Sequence, residues 1–276
     1  MKNTLVSIII PCYNHGQYID EAIKSVEECQ SDDYEIIIIN DGSTDDFTNN
    51  RLIELKNEGY QVIFQENQGL GRSRNNGIKL AKGKYILPLD ADNKVTPEFI
   101  SKAKEILDSD PSISIVYTNR QLFGDSNDLL KVGEFNLFRI TEGNYIDACA
   151  IYRKTVWEKV GGYDENMPLQ GWEDWDFWLS AAKMEFRFFY IPELLFFYRV
   201  VENSMIQQLG SNPKIDVLIE YLYKKHISLL LKHYRANNDE LCQLRSIKND
   251  SNILNFERKH PLRTSVKYIY RWLSNK

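Results

Sequence analysis

Cysteine is scarce. The 276 residues hold four, Cys12, Cys29, Cys149 and Cys242. They have neither the spacing of a metal site nor the density of a disulfide framework, which fits a reducing compartment. Histidine is as scarce. His15 stands alone in a loop and reads as a turn residue, while His226 and His233 share one helix face with no third ligand near them. Long apolar runs are missing: Leu5 to Pro11 is too short for a signal-peptide core or a membrane span. The expected location is therefore cytoplasmic. There is no excess of positive charge, since 34 Lys and Arg face 39 Asp and Glu. That argues against a nucleic-acid partner. Glycine-rich phosphate loops are absent as well. Pro11-Cys12-Tyr13-Asn14-His15-Gly16 stands where a dinucleotide crossover needs Gly-x-Gly-x-x-Gly, and no Gly-Lys-Ser or Gly-Lys-Thr occurs. A sugar nucleotidyltransferase would carry a glycine-rich loop with a basic residue at the same place.

What is present is alternation. Leu5 to Ile10 is a β-branched run that Pro11 is expected to stop, and it suits a strand buried on both faces. Helical spacing follows over Gln17 to Glu28. Tyr34 to Ile39, Gln61 to Phe64, Lys84 to Leu89 and Ile113 to Tyr117 read as further strands. The helices between them carry Phe47 to Leu55, Gly69 to Lys82 and Pro97 to Leu107. This predicts an α/β fold, an open and mostly parallel sheet with helices on both faces, whose ligands bind at the carboxyl ends of the strands. The pattern then breaks. Gln121 to Thr141 suggests a hairpin or mobile loop, Ala148 to Tyr152 a short strand and Arg153 to Val160 a short helix. A helix opens near Trp172, Phe186 to Ile191 and Leu194 to Arg199 read as two strands, and Ile215 to Tyr234 as an amphipathic helix.

The polar clusters after Ile10, Ile39 and Leu89 all fall at strand ends. The third holds Asp90 and Asp92. Alternate strand residues point the same way, so the two carboxylates converge and repel unless a cation lies between them. A divalent metal carrying phosphate oxygens answers that need. A solvated turn with two ordinary acids is the other reading of this triplet taken alone.

Six motifs in order extend the case: Ile9-Ile10-Pro11-Cys12-Tyr13-Asn14; Asn40-Asp41-Gly42-Ser43-Thr44-Asp45; Asn67-Gln68-Gly69 with Arg74-Asn75-Asn76-Gly77; Leu89-Asp90-Ala91-Asp92; Gly161-Gly162-Tyr163-Asp164-Glu165; and Trp172-Glu173-Asp174-Trp175-Asp176. Together they resemble glycosyltransferase family 2, the inverting nucleotide-sugar transferases of GT-A fold, over Val6 to Met205. The resemblance implies a Rossmann-like nucleotide-diphospho-sugar transferase sheet. Residues 1–205 would form the catalytic domain, with 1–120 binding nucleotide and 121–205 holding base and acceptor. Residues 206–276 would be a helical C-terminal extension.

The resemblance also implies roles. Pro11, Cys12, Tyr13, Asn14, Asp41, Gly69, Arg74, Asp90 and Ala91 would line the nucleotide pocket of a UDP-linked donor, although Arg74 also reads as a helix-surface arginine. Asp92, with Asp90, would bind Mn2+ or Mg2+. Glu173 and Asp174 match the family's catalytic pair, with Asp174 as base, and equally suit the first turn of a helix, where acids are favoured. Trp172 is placed to stack on a sugar, whereas Trp175 and Trp178 read as core. Arg199 and Ser204 would contact diphosphate or acceptor, or serve as ordinary strand-end residues.

Two departures from the family pattern stand out, Asn93 where many relatives have aspartate and Val201 where many have a metal-binding histidine. They keep open a non-catalytic nucleotide-sugar-binding subunit of a polysaccharide-synthesis complex. The implied acceptor is a saccharide or lipid-linked saccharide in surface polysaccharide synthesis, and the oligomeric state stays open, a homodimer among the options. The basic aromatic tail Val266 to Leu273 suits either peripheral contact with the inner face of the cell membrane or docking on the catalytic domain.

Overall fold

The computed structural model describes residues 5–29, 33–201, 209, 212–232 and 234–235. Nine strands form one sheet in the order β3-β2-β1-β4-β8-β6-β9-β5, with β7 paired to β6. The first half alternates as expected: β1 (Val6–Cys12), α1 (Gly16–Glu27), β2 (Tyr34–Asp41), α2 (Asp46–Asn57), β3 (Gln61–Gln65), α3 (Leu70–Leu80), β4 (Tyr85–Pro88), β5 (Lys94–Val95), α4 (Pro97–Ser109). The second half holds β6 (Ile113–Gly124), β7 (Leu129–Leu130), α5 (Leu137–Glu142), β8 (Ile151–Arg153), α6 (Lys154–Val160), α7 (Glu173–Lys183), β9 (Arg187–Val200) and α8 (Ile215–Lys225). The pairs β1·β2, β1·β4, β2·β3 and β6·β9 are parallel. Antiparallel β8 sits between β4 and β6, so these two also run the same way.

Strand period builds two cores. Ile8, Ile10 and Ile38 face one side and pack with Ile19, Ile23 and Val26 of α1 and Phe99, Ala103 and Leu107 of α4. Ile9, Ile37 and Ile39 face the other and pack with Ile78 of α3, Phe177 and Trp178 of α7 and Leu218 and Leu222 of α8. The amphipathic helix expected over Ile215 to Tyr234 is therefore part of the second core. It is interrupted by a turn at His226 before helix resumes over 227–232.

Helix α3 lies unusually close to β1. A Cβ on Gly77 would sit 2.4 Å from Cγ2 of Ile9, and Ile9 is fully buried. Gly77→Ala is expected to cost about 1–3 kcal/mol by overpacking, checked by chemical denaturation.

Several local expectations change. Pro11 does not stop β1, which pairs with β2 as far as Cys12↔Asn40. Pairing with β4 has already ended at Ile9↔Pro88. At Pro11 the strand thus has a neighbour on one side only, where a missing N–H is tolerated. The two strands expected over 186–199 are one strand, β9, in which Pro192 and Glu193 are passed over by a register shift between Thr118↔Ile191 and Asn119↔Leu194. The segment 121–141 is a hairpin, β6·β7, followed by α5. Strand β5, not expected, pairs with Phe196 and Phe197 of β9. The tail Val266 to Leu273, Ser204, His233 and Cys242 lie outside the described residues. Among the described residues no helix is long and apolar enough to cross a membrane.

Candidate active site

Strand β1 has β2 on one side and β4 on the other. A sheet of this kind leaves a crevice at the carboxyl ends where the strand order reverses. Two loops are fastened together there. Asn14 adopts a left-handed φ of 55°, which asparagine tolerates better than most residues. Its side-chain oxygen accepts from Thr44 N (2.7 Å) and Asp45 N (3.3 Å), and its own N–H donates to Ser43 Oγ (3.1 Å). Pro11, Cys12 and Ala91 are buried. Burial, the largest cause, pushes the Cys12 thiol up to about 12, so it stays protonated and inert. Tyr13 is 44% exposed and projects from this edge.

Asp45 caps α2 by accepting from Thr48 N at 2.7 Å, so Asp41 is not needed there. Asp41 is buried at the start of α3 instead. Its Oδ1 accepts from Gln65 Nε2 (2.7 Å) and Gln68 N (2.9 Å), and its Oδ2 from Gly69 N (2.8 Å). A carboxylate has about four acceptor positions, so these three donors leave one on Oδ2. Gly69 holds φ 89°, a left-handed value, at the helix start.

Arg74 is not a helix-surface arginine, because its side chain is only 2% exposed. Its Nη2 lies 2.7 Å from Asp90 Oδ1, and its guanidinium carbon is 5.5 Å from the ring centre of Tyr163. Burial works against the charge, but Asp90, Tyr163, Glu173 and Asp174 outweigh it and keep Arg74 cationic. The neighbouring Asn75 ties α3 to the second half. Its oxygen accepts from Trp157 Nε1 and Tyr163 N, and its amide donates to Tyr163 O and Glu165 Oε1.

Asp92 is pushed up to about 6, first by burial and then by Asp90. The nitrogen Nδ1 of His15 stands 3.9 Å from its Oδ2, so the lone histidine of the first loop belongs to this edge. Asn93 is buried and its Oδ1 accepts from Arg199 N at 2.8 Å. Arg199 then braces the acidic turn. Its Nε donates to Asp92 O (3.0 Å), its Nη2 lies 3.0 Å from Glu21 Oε1, and its guanidinium carbon is 4.3 Å from the ring centres of both Tyr18 and Phe123. Among the described residues no group of three or more His, Cys, Asp or Glu side chains is arranged to hold a metal ion. Asp90 and Asp92 are a two-carboxylate set. They fit an Mg2+- or Mn2+-type ion bound by one or two carboxylates with phosphate and water completing the shell.

Across the crevice, α7 begins at Glu173 with three acids in its first turn, where the helix dipole favours them. Glu173 is 3% exposed and both its oxygens accept from Gly171 N, at 3.0 and 2.9 Å. Asp174 is half-buried. Its Oδ1 accepts from Trp175 N (2.8 Å) and its Oδ2 from Asn144 Nδ2 (2.7 Å). Burial and then Asp147 push it up to about 7, against Arg74 and Asn144. Trp175 and Trp178 are core, donating to Ile140 O and Ile146 O. Trp172 is half-buried, edge-on to Trp175 with ring centres 5.2 Å apart. The sequence reading missed Asn144, Asp147 and Arg120. They sit in or beside a segment without periodicity, and only the fold brings them to the acids.

A family model described as glycosyl transferase family 2 matches residues 7–161. An uncharacterized glycosyltransferase of Methanocaldococcus jannaschii is 25% identical over 238 residues, 82% of this chain and 80% of that protein. Chondroitin synthase of Escherichia coli is 26% identical over 190 residues, 65% of this chain and 27% of its own length. The chain thus spans about a quarter of that relative. Among solved structures, S. aureus TarS in complex with UDP superposes with a TM-score of 0.60 at 21% identity, covering 71% of this chain and 60% of that one. The mannosyltransferase PcManGT from Pyrobaculum calidifontis, in complex with GDP-Man and Mn2+, does so with 0.59 at 16% identity, covering 83% and 65%. These structures share the GT-A fold seen here. With more than half of its length matched by the family model, the chain belongs to glycosyl transferase family 2 and is a glycosyltransferase.

Proposed function

We propose that the protein moves a hexosyl or N-acetylhexosaminyl group from a UDP-sugar to an acceptor hydroxyl by single displacement with inversion. One observation carries this reading: the buried Arg74 contacts Asp90 at 2.7 Å and also interacts electrostatically with Asp174. Donor-side acids and candidate base therefore share one crevice. In the reaction the acceptor oxygen attacks the anomeric carbon, the bond from that carbon to the diphosphate oxygen breaks, and the acceptor proton passes to Asp174. Asp174 suits a base because its pKa is tuned toward neutrality. Glu173, turned onto Gly171 N, positions the first turn of α7. Asp41 has one acceptor position for a base N–H or ribose hydroxyl, and Tyr13 and Asn14 frame that end. Asp92 and Asp90 would hold Mn2+ or Mg2+, which supplies charge neutralisation for the departing diphosphate. Similarity to chondroitin synthase supports polysaccharide synthesis as the setting, with a saccharide or lipid-linked saccharide as acceptor. A non-catalytic binder would have no use for an acid with a near-neutral pKa at the acceptor side.

The test is calorimetry with UDP, with and without Mn2+. Metal-dependent binding is expected, weakened at least about tenfold in Asp92→Ala. Absence of UDP binding in both conditions would remove the donor assignment.

A further inference from the structure

A second ion pair stands in the crevice. Arg120 lies on β6, in register with Phe196 of β9. Its Nη1 is 3.3 Å from Asp147 Oδ2, with side chains 25% and 16% exposed. Asp147 Oδ1 also accepts from Cys149 N at 2.9 Å, which fixes the carboxylate in the loop just before β8. The guanidinium carbon of Arg120 is 5.9 Å from the ring centre of Tyr198. Arg120 Nε is buried with no partner. The pair is thus anchored at one end, while part of the guanidinium fork and lone pairs on both Asp147 oxygens remain uncommitted.

Its place is what matters. Asp147 interacts electrostatically with Asp90 and with Asp174. Holding a further carboxylate beside those acids is costly, and a purely structural role would be served as well by an uncharged residue. Single displacement fixes an order along the crevice: leaving diphosphate, anomeric carbon, acceptor oxygen, base. A side chain within electrostatic reach of both Asp90 and Asp174 is placed to meet the group between them, which is the transferred sugar. An acceptor and a donor held side by side match two adjacent ring hydroxyls, one donating to the carboxylate and the other accepting from the guanidinium.

We infer that Arg120 and Asp147 are the donor-sugar specificity pair of this enzyme, reading a vicinal diol on the transferred hexosyl ring. This rests on the reaction proposed above, and the test separates the two. Calorimetric affinities in Mn2+ are measured on the full chain for UDP, UDP-glucose, UDP-galactose, UDP-N-acetylglucosamine and UDP-N-acetylgalactosamine. The native protein is expected to separate a C4-epimeric pair by about 10- to 100-fold, the loss of a hydrogen bond to a charged group. Asp147→Asn and Arg120→Met are each expected to bring that ratio within about threefold, with the affinity for UDP itself unchanged within about threefold. Arg120→Lys keeps the charge beside Asp147 but not the fork. It is expected to lose the same discrimination, and it serves if either other variant fails to fold. The inference is overturned if the native protein binds UDP yet does not separate epimers, if the native ratio survives in the variants, or if UDP affinity falls in step with that of the UDP-sugars. If the native protein binds no UDP, the donor assignment fails first and this one with it.

Discussion

Asp174→Asn is expected to lower turnover by about 10²- to 10⁴-fold, the usual contribution of a positioned general base. UDP affinity is expected to stay within about threefold, because the side chain acts on the acceptor side. Asparagine keeps an oxygen for Trp175 N–H, and Asn144 can present its own oxygen to the new amide, so the local hydrogen bonds survive. The pH dependence gives an independent check. The native Asp174 is raised to about 7, first by burial and then by Asp147. A base accepts a proton only when ionised, so kcat/KM should rise with pH through about 7 and level off above it. Arg74 opposes the upward shift and Asp147 adds to it. Hence Asp147→Asn should move this limb to lower pH, and Arg74→Met should move it to higher pH. A limb that stays in place in Asp147→Asn, or an Asp174→Asn enzyme of near-native turnover, would assign the base elsewhere.

The parts of this site that were legible in the sequence share one property: each is written in contiguous residues whose period is fixed by local geometry. Buried strands ending in Asn40-Asp41 and Leu89-Asp90-Ala91-Asp92 announce themselves by β-branched runs that stop at polar clusters. For Glu173-Asp174 the helix start is legible because acids open helices, while a catalytic role is only what the family resemblance implies. The remainder depends on pairing between distant segments. Arg120 lies where β6 runs on beyond the apolar stretch Ile113 to Tyr117, and its partner Asp147 lies in a loop without pattern. Pro11 reads as a strand stop because a proline lacks an N–H, and residues 186–199 read as two strands with a gap that begins at Pro192. Pro11 is tolerated where β1 has lost one neighbour, Pro192 because the register shifts past it. Neither condition is visible before the sheet order is known. Asn93 shows the same limit. Its oxygen accepts from Arg199 N, 106 residues on, so what read as a departure from the family pattern is a brace for the turn that carries Asp92.

Asp176→Ala is expected to lower stability by about 3–5 kcal/mol, the cost of stripping one partner from a buried charge cluster. Asp176 lies on α7 beyond the base, and its Oδ1 is 2.8 Å from His226 Nε2 and its Oδ2 2.8 Å from Lys225 Nζ. The side chains of Asp176 and His226 are each 2% exposed. Lys225 also reaches Asp164 Oδ2 at 2.6 Å, which in turn accepts from Tyr221 OH at 2.8 Å. The cluster fastens α8 across the helix that carries Asp174, beside the apolar contacts of Leu218 and Leu222. Removing Asp176 takes from His226 its acidic partner in a dry interface, where His226 Nδ1 already lacks a hydrogen-bond partner, and takes from the partly exposed Lys225 one of its two carboxylates. The pH window follows from the signs. Burial disfavours the Lys225 ammonium, but Asp176 and Asp164 outweigh it and raise its pKa above 10.5, so its contribution is complete below that value and fades as pH climbs through the raised one. Burial also disfavours the Asp164 carboxylate, but Lys225, Asn166 N and Tyr221 outweigh it and hold its pKa below 3.8. Its contribution is present above that value and lost on acidification through the lowered one. The Lys225–Asp164 contact is therefore whole across the neutral range. Denaturant unfolding at neutral pH measures the loss directly. The exposed pair Lys232–Glu185, with side chains 69% and 77% exposed, is the control. Lys232→Ala should change stability by less than about 1 kcal/mol. An Asp176→Ala loss no larger than that of the control would mean that α8 is held by its leucines alone.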